Sequence, residues 1–442
     1  MQTILVLGAG RSSSALIDYL LEKAVLHNWR IMVGDVNEEL ARQRIGDSGR
    51  GEGIYFNIEE PGLSARIISL SDVVVSLLPA HLHVRVAQHC LAHKKHLITA
   101  SYVSQEMKSL HRQALDNDLL FLNECGLDPG IDHMSAMEVI HRIRREGGSI
   151  TSFESFTGGL IAPDTDPENP WRYKFTWNPR NVVMAGQGTA RYLENGKLKF
   201  IPYSQLFRRT TPVHVPGYGA FEGYANRDSL QYKEVYGLDN VYTLLRGTLR
   251  NRGFCAAWHI LVQLGVCDDT YMLNCEGFTH RDFTDLFLPC GENPTEERLA
   301  ALFGLSLQGP EMQRLRWSGF FSDEPVGLKQ GTPAQITEHI LNKRWVLKPD
   351  DKDMIVMWHR FRYEKNGQAG ELQSSLVVTG TDSVHTAMAK TVGLPMGMAA
   401  RLLIEGRIKI RGVVIPVQAE LYNPILEELK SYGIAFAETS GA

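Results

Sequence analysis

The first apolar run of the chain reads TILVLGAGRSS, residues 3–13. A β-prone run, a turn with two glycines and the opening of a helical pattern follow one another without a break. Gly8 and Gly10 fill the first two positions of a G-x-G-x-x-G pattern, and Ser13 stands in the third. Gly8 permits the tight turn, and Gly10 lets the backbone approach a pyrophosphate. The helix that follows offers unpaired N–H groups and the positive end of its dipole. A glycine turn by itself is weak evidence, because an empty doubly wound domain can carry one. Its place at the first strand–helix junction gives it weight.

Outward from this turn, four more apolar runs alternate with helical patterns: WRIMVGD, DVVVSLLP, KHLITAS and LLFLNECG, all within the first 125 residues or so. This rhythm predicts an α/β fold with a parallel sheet and crossover helices, a doubly wound Rossmann domain over 1–127 that part of 384–442 can complete. Strands this apolar suit a sheet buried on both faces. From about Ser152 the texture changes to aromatic, β-prone segments between Pro/Gly turns. These predict a second, sheet-containing domain over 128–253 and 344–383. The periodicity of CAAWHILVQLGV, TEERLAALFGL and PAQITEHILNKRW predicts a helical domain over 254–343. HTAMAKTVGLPMGMAARLLIEG reads as a helix broken near Pro395. No internal repeat or low-complexity tract interrupts this order.

Composition narrows the partners. Of 442 residues, 43% are hydrophobic and 22% charged, with a formal net charge of −4, as in an ordinary globular protein. No run of Lys and Arg marks a nucleic-acid or membrane surface, so a small molecule is the expected partner. The six cysteines form no C-x-x-C pair, no His/Cys spacing suits a metal, and no apolar stretch is long enough for a signal or a membrane span. The chain therefore reads as a reduced, cytoplasmic, metal-free protein.

The second strand run ends in Asp35, 25 residues after Gly10. A carboxylate there can accept both adenosine ribose hydroxyls and would repel a 2′-phosphate, and no Arg directly follows. The expected cofactor is NAD rather than NADP. The competing reading is that Asp35 caps the helix beginning at NEELARQ. Ligands of a doubly wound sheet bind beyond the carboxyl ends of its strands, where SLLPAHLH, TASYVS and NECGLDPGIDH lie. Pro129 and Gly130 suit a type II turn, and Asp128 either faces the nicotinamide or only bonds the turn backbone. His133 reads as a core or helix-start residue.

NECGLDPGIDHMSAMEVI, TASYVS, GGLIAPDTDPENPWRYKFTW, YANRDS, LLRGTLRNRGF and GVVIPVQAELYNPILEELKSYGI together resemble the glutamate-forming saccharopine dehydrogenase family, in matching order over essentially the whole chain. The resemblance implies a dinucleotide-binding domain, a mixed-sheet substrate and dimerisation domain, an inserted helical domain and a homodimer. It carries Ala9, Gly10, Arg11 and Ser12 to the pyrophosphate and Leu78 to the path toward the nicotinamide. Beside the nicotinamide it places Thr99, Ala100, Ser101, Leu127, Asp128 and Pro129. Ser101, Tyr102, Asp128, Arg227, Thr248, Leu249 and Arg250 are implied to contact saccharopine. Saccharopine bears three carboxylates, for which a planar guanidinium is a well-matched partner; an arginine by itself is more often solvated. Two departures stand out: Thr157 replaces a frequent Cys, and Asp35 stands where NADP-using members carry a basic residue.

The implied reaction oxidises a secondary amine. Hydride leaves the lysine-side carbon, an imine forms, and water cleaves it to glutamate and 2-aminoadipate 6-semialdehyde. The amine must lose its proton first, since an ammonium has no lone pair to push. Asp128 is the candidate to orient the amine and stabilise the iminium, and Tyr102 to relay protons. A carboxynorspermidine-type dehydrogenase would need fewer carboxylate clamps than Arg227 and Arg250 provide. A dinucleotide-binding sensor would bind cofactor without turnover.

Overall fold

The computed structural model describes residues 1–185 and 187–441, which fall into two compact units. The first comprises Met1–Gly148 and Val384–Phe436. Its strands are β1 (Thr3–Leu7), β2 (Arg30–Asp35), β3 (Gly51–Tyr55), β4 (Val73–Ser76), β5 (His96–Thr99), β6 (Leu120–Leu122) and a late strand, Gly412–Val414. They form one parallel sheet in the order Gly412–Val414, β6, β5, β4, β1, β2, β3. This is the doubly wound order with one strand added, and its central strands β1 and β4 are buried throughout. Helices α1 (Ser14–His27), α2 (Glu38–Ile45), α3 (Pro61–Ser69) and α4 (His83–His93) make the crossovers.

The helix Ala387–Ile404 packs along α1 and runs unbroken through Pro395, which corrects the expected break. Proline forfeits one backbone bond and crowds the preceding turn. Here nearly every residue from Ala387 to Leu403 is buried, so tertiary packing holds the helical path. Arg401 ties the assembly together. Its Nε donates to the Tyr19 hydroxyl (2.8 Å), which donates to Glu428 (2.9 Å).

The second unit comprises Ser149–Ser383 and the residues from Ala437 onward. Its strands include β7 (Ser149–Ile161), β8 (Ala190–Glu194), β9 (Lys197–Ile201), β10 (Thr210–Val215), β11 (Gly219–Ala225) and β12 (Thr243–Asn251). The sheet runs β10, β11, β12, β7, then Asp353–Lys365, Gln368–Thr379 and Ala437–Gly441, with β8 and β9 attached beside β12. Among the described strands of this sheet only β12 and β7 pair in parallel, so the sheet is mixed. Helices from the 254–345 region, among them Phe254–Leu264 and Pro333–Trp345, pack on it over an aromatic core of Trp171, Tyr173, Phe175, Phe254, Trp258 and Trp345. Lys174 lies wholly inside this unit between Asp166 (2.7 Å) and Asp351 (2.6 Å). Among the described residues no helix is long and apolar enough to cross a membrane, and no cluster of His, Cys, Asp and Glu could hold a metal.

Candidate active site

The turn between β1 and α1 has the form that its sequence requires. Gly8 takes φ +101°, and its amide donates to Gly34 O (2.8 Å). A Cβ built at Gly10 meets nothing within 4 Å, which leaves the open approach that a pyrophosphate needs. Ser13 turns its hydroxyl back to Gly10 O (2.8 Å), so no side chain caps the N-terminus of α1. Ala9 is buried, Arg11 exposed and Ser12 half-buried. These residues fit a dinucleotide phosphate bridge.

Asp35 ends β2 with one backbone amide on each carboxylate oxygen: Oδ2 accepts the Ala9 amide (2.8 Å) and Oδ1 the Asn37 amide (2.9 Å). The helix cap itself is Asn37, which accepts Leu40 N. Asp35 thus clamps the glycine loop to the end of β2. Arg44, on the last turn of α2, donates its Nε to Ala9 O (3.3 Å) and brings a guanidinium to the same loop.

Beyond β4 and β5, three hydroxyls converge on a buried imidazole. His83 Nδ1 lies 3.0 Å from Ser76 Oγ, while Nε2 lies 2.9 Å from Ser101 Oγ and 3.0 Å from Thr99 Oγ1. Burial, reinforced by the charge of His81, lowers the His83 pKa to about 4 and keeps the ring neutral. Leu78 and Ala100 are half-buried nearby in the chain.

Glu124 holds the next segment. Its amide donates to Ser101 O (3.1 Å), and its Oε1 accepts Val103 N (3.0 Å), so Tyr102 is fixed on both sides. The other oxygen meets His133 Nε2 at 2.8 Å; His133 is fully buried in the first turn of the helix Ile131–Arg145. The backbone of Glu124 is left-handed, φ +53°. Tyr102 donates its hydroxyl to Asp128 Oδ1 (3.2 Å), bringing the two sequence-chosen catalytic residues together. Asp128 is half-buried, whereas its neighbours Leu127 and Pro129 are buried. The turn is not type II. The Asp128–Pro129 peptide is cis and Gly130 has φ +152°, far from the +80° or so of that turn. A Cβ at Gly130 would sit 2.0 Å from Gly126 O, so the chain folds back on itself more tightly than a type II turn does.

In the second unit, Thr248, Leu249 and Arg250 lie on β12. Alternation along a strand sends Leu249 to one face and Thr248 and Arg250 to the other, where Arg250 meets aromatic members of the same core. Arg250 is 4% exposed. Its guanidinium lies 4.9 Å from the Tyr173 ring centre and 5.2 Å from that of Phe254. One terminal nitrogen donates to Leu249 O (2.9 Å), and Nε has no hydrogen-bond partner. Among the described residues no carboxylate pairs with it. Burial opposes its charge, the phenols of Tyr224 and Tyr173 favour it, and its pKa ends above the ordinary value. Thr157, opposite Thr248 across the β7–β12 pair, is also buried with an unpartnered hydroxyl. Arg227 is exposed at φ +53°, and its carbonyl accepts Arg191 N (2.8 Å). Sequence reasoning missed His83 and Glu124, though both stand inside stretches it singled out.

A doubly wound sheet with an open glycine loop, followed in one chain by a mixed-sheet unit carrying a buried guanidinium without a carboxylate partner among the described residues, has the architecture of a dinucleotide-binding protein with a second unit. Residues 4–122 match the saccharopine dehydrogenase NADP binding domain, and residues 126–434 the saccharopine dehydrogenase C-terminal domain. The chain belongs to the saccharopine dehydrogenase family. It is 31% identical over 450 residues to the saccharopine dehydrogenase [NADP(+), L-glutamate-forming] of Schizosaccharomyces pombe, covering 99% of each. It is also 35% identical over 460 residues to the mitochondrial alpha-aminoadipic semialdehyde synthase of Bos taurus, but covers 99% of this chain and 48% of that protein. The chain thus spans about half the length of that relative. The apo saccharopine dehydrogenase (L-Glu forming) from Saccharomyces cerevisiae superposes with a TM-score of 0.89 at 30% identity, covering 100% of both chains.

These matches overturn the expectation of NAD, since the matching domain is the family's NADP binding domain and the fungal relatives are named for NADP(+). What the reading of the strand end omitted is the setting of Asp35 and Arg44. The carboxylate is already bonded to two backbone amides as a loop anchor, and a guanidinium reaches the loop from the far end of α2. Neither contact is visible in the residues directly after the strand.

Proposed function

We propose that the protein catalyses the reversible, NADP-dependent oxidation of saccharopine to L-glutamate and 2-aminoadipate 6-semialdehyde. The observation that carries this reading is Arg250. A guanidinium buried to 4% exposure without a carboxylate bears a desolvation cost that a bound anion offsets. Saccharopine brings three carboxylates, and the arginine fork donates to one of them through parallel charge-assisted hydrogen bonds. Arg227 is assigned to a second.

When bound, a nicotinamide dinucleotide held at the glycine loop by Gly8, Ala9, Gly10, Arg11 and Ser12 would supply the hydride acceptor for the substrate carbon next to nitrogen. Asp128 orients the amine and stabilises the positive charge that develops on it as the carbon–nitrogen double bond forms. Tyr102 hydrogen-bonds Asp128 and passes a proton to or from the water that cleaves the imine. Glu124 keeps Tyr102 in place by holding the backbone on either side of it. The test is the appearance of reduced dinucleotide with purified protein, saccharopine and NADP. Turnover of a spermidine-type substrate without any turnover of saccharopine would refute the assignment, and cofactor binding without turnover of either would point to a sensor.

A further inference from the structure

Ser76 ends β4, Thr99 ends β5, Ser101 follows two residues later and His83 opens α4, so one ring bridges three segments at the carboxyl edge of the sheet. A neutral imidazole has one N–H and one lone pair to offer. Ser76 takes the Nδ1 side, which leaves a single donor or acceptor at Nε2 for two oxygens. Thr99 is fully buried, and its oxygen also accepts Ser101 N (3.3 Å). Ser101 is only half-buried, and its hydroxyl keeps bonding capacity on the side away from the ring. The low pKa of His83 agrees with a ring that serves as a fixed neutral partner rather than as a base.

We infer that His83 is a positioning residue for the reaction: it fixes the rotamer of Ser101 and so aims the remaining hydrogen-bonding capacity of that hydroxyl at the ligand. A serine hydroxyl otherwise samples three staggered wells. A neutral hydroxyl held by a neutral ring contributes direction rather than charge, so it suits a neutral polar group such as an amide or an amine. The inference rests on the function proposed above.

The test is a double-mutant cycle. His83→Asn keeps an atom pair near the Nδ1 position and loses reach to Ser101, whereas His83→Gln extends to the Nε2 position. His83→Asn and Ser101→Ala should each lower kcat for saccharopine about tenfold, the double variant should be no worse than about tenfold, and His83→Gln should recover to within about threefold of wild type. KM for the dinucleotide should stay within about twofold. Additive losses of about a hundredfold, or wild-type kcat in His83→Asn, would overturn the inference. Wild-type protein that turns over no saccharopine would refute the substrate, not the histidine. In that case, or if His83→Asn does not fold, the ring-nitrogen NMR resonance of His83 Nε2 decides: it shifts in Ser101→Ala if the contact exists, and an unmoved resonance overturns the inference.

Discussion

Arg250 is a buried cation set among aromatic rings, with no carboxylate partner among the described residues. The aromatic faces of Tyr173, Tyr224 and Phe254 return part of the cost of burying its charge through cation–π attraction, about 0.5–2 kcal/mol each at most. The unbonded Nε and the missing carboxylate leave the rest uncompensated. Arg250→Met, close in volume and without charge, should therefore melt no lower than wild type in a thermal scan while raising KM for saccharopine roughly ten- to a hundredfold. A lower melting temperature with unchanged KM would place the anion site elsewhere. Asp128 should behave in the opposite way. If it orients the reacting amine, Asp128→Ala lowers kcat by about a hundredfold with a small change in KM, because only the reacting geometry is lost. Steady-state kinetics separate the two outcomes.

At the scale of elements, two joints depend on single charged side chains. Asp35 couples the end of β2 to the glycine loop through Ala9 and to the start of α2 through Asn37. Asp35→Ala frees both amides, and the expected result is a dinucleotide dissociation constant raised about tenfold, read by fluorescence titration, with little loss of melting temperature. Lys174 is the second joint. It is fully buried between Asp166, in the loop after β7, and Asp351, just before the strand Asp353–Lys365. Removing one member of a buried ion cluster strands the others, so Lys174→Ala should cost roughly 3–5 kcal/mol in urea unfolding. The helix Ala387–Ile404 teaches a related lesson. Its proline is tolerated because the buried surface along α1 and the Arg401–Tyr19–Glu428 network outweigh one lost backbone bond.

For the molecule as a whole, acid is the natural stress. His83 is driven from its ordinary 6.5 down to about 4 by burial, and His96 is driven the same way to about 4. Between these values the unfolded chain holds protons that the folded one refuses, so protons favour unfolding. Stability should be complete above pH 6.5, fall as pH drops toward 4 and level off below, and His83 alone accounts for roughly 3 kcal/mol of that loss. Denaturant midpoints measured across this range check the sign. A midpoint that rises on acidification would mean that the rings are not buried in neutral form.

The sequence by itself determined the parallel sheet with its crossover helices, the glycine turn before α1, the presence of a second sheet-bearing region and the family to which the blocks belong. Those features rest on local rules: apolar runs, strand–helix alternation and turn chemistry are all written within a few neighbouring residues. The segment from Asn123 to Met134 was legible as a turn beyond the last of the early strands for the same reason, although its φ angles were not. The tertiary structure alone decided which charges are already spent and which remain available. Asp35 is taken up by amides 26 and 2 residues away, and Arg44 reaches a loop 35 residues earlier. His83 joins residues from two strands, and Arg250 loses its water to aromatic rings drawn from separate stretches of chain. Burial and long-range hydrogen bonding depend on how the elements close over one another, and no local pattern encodes that.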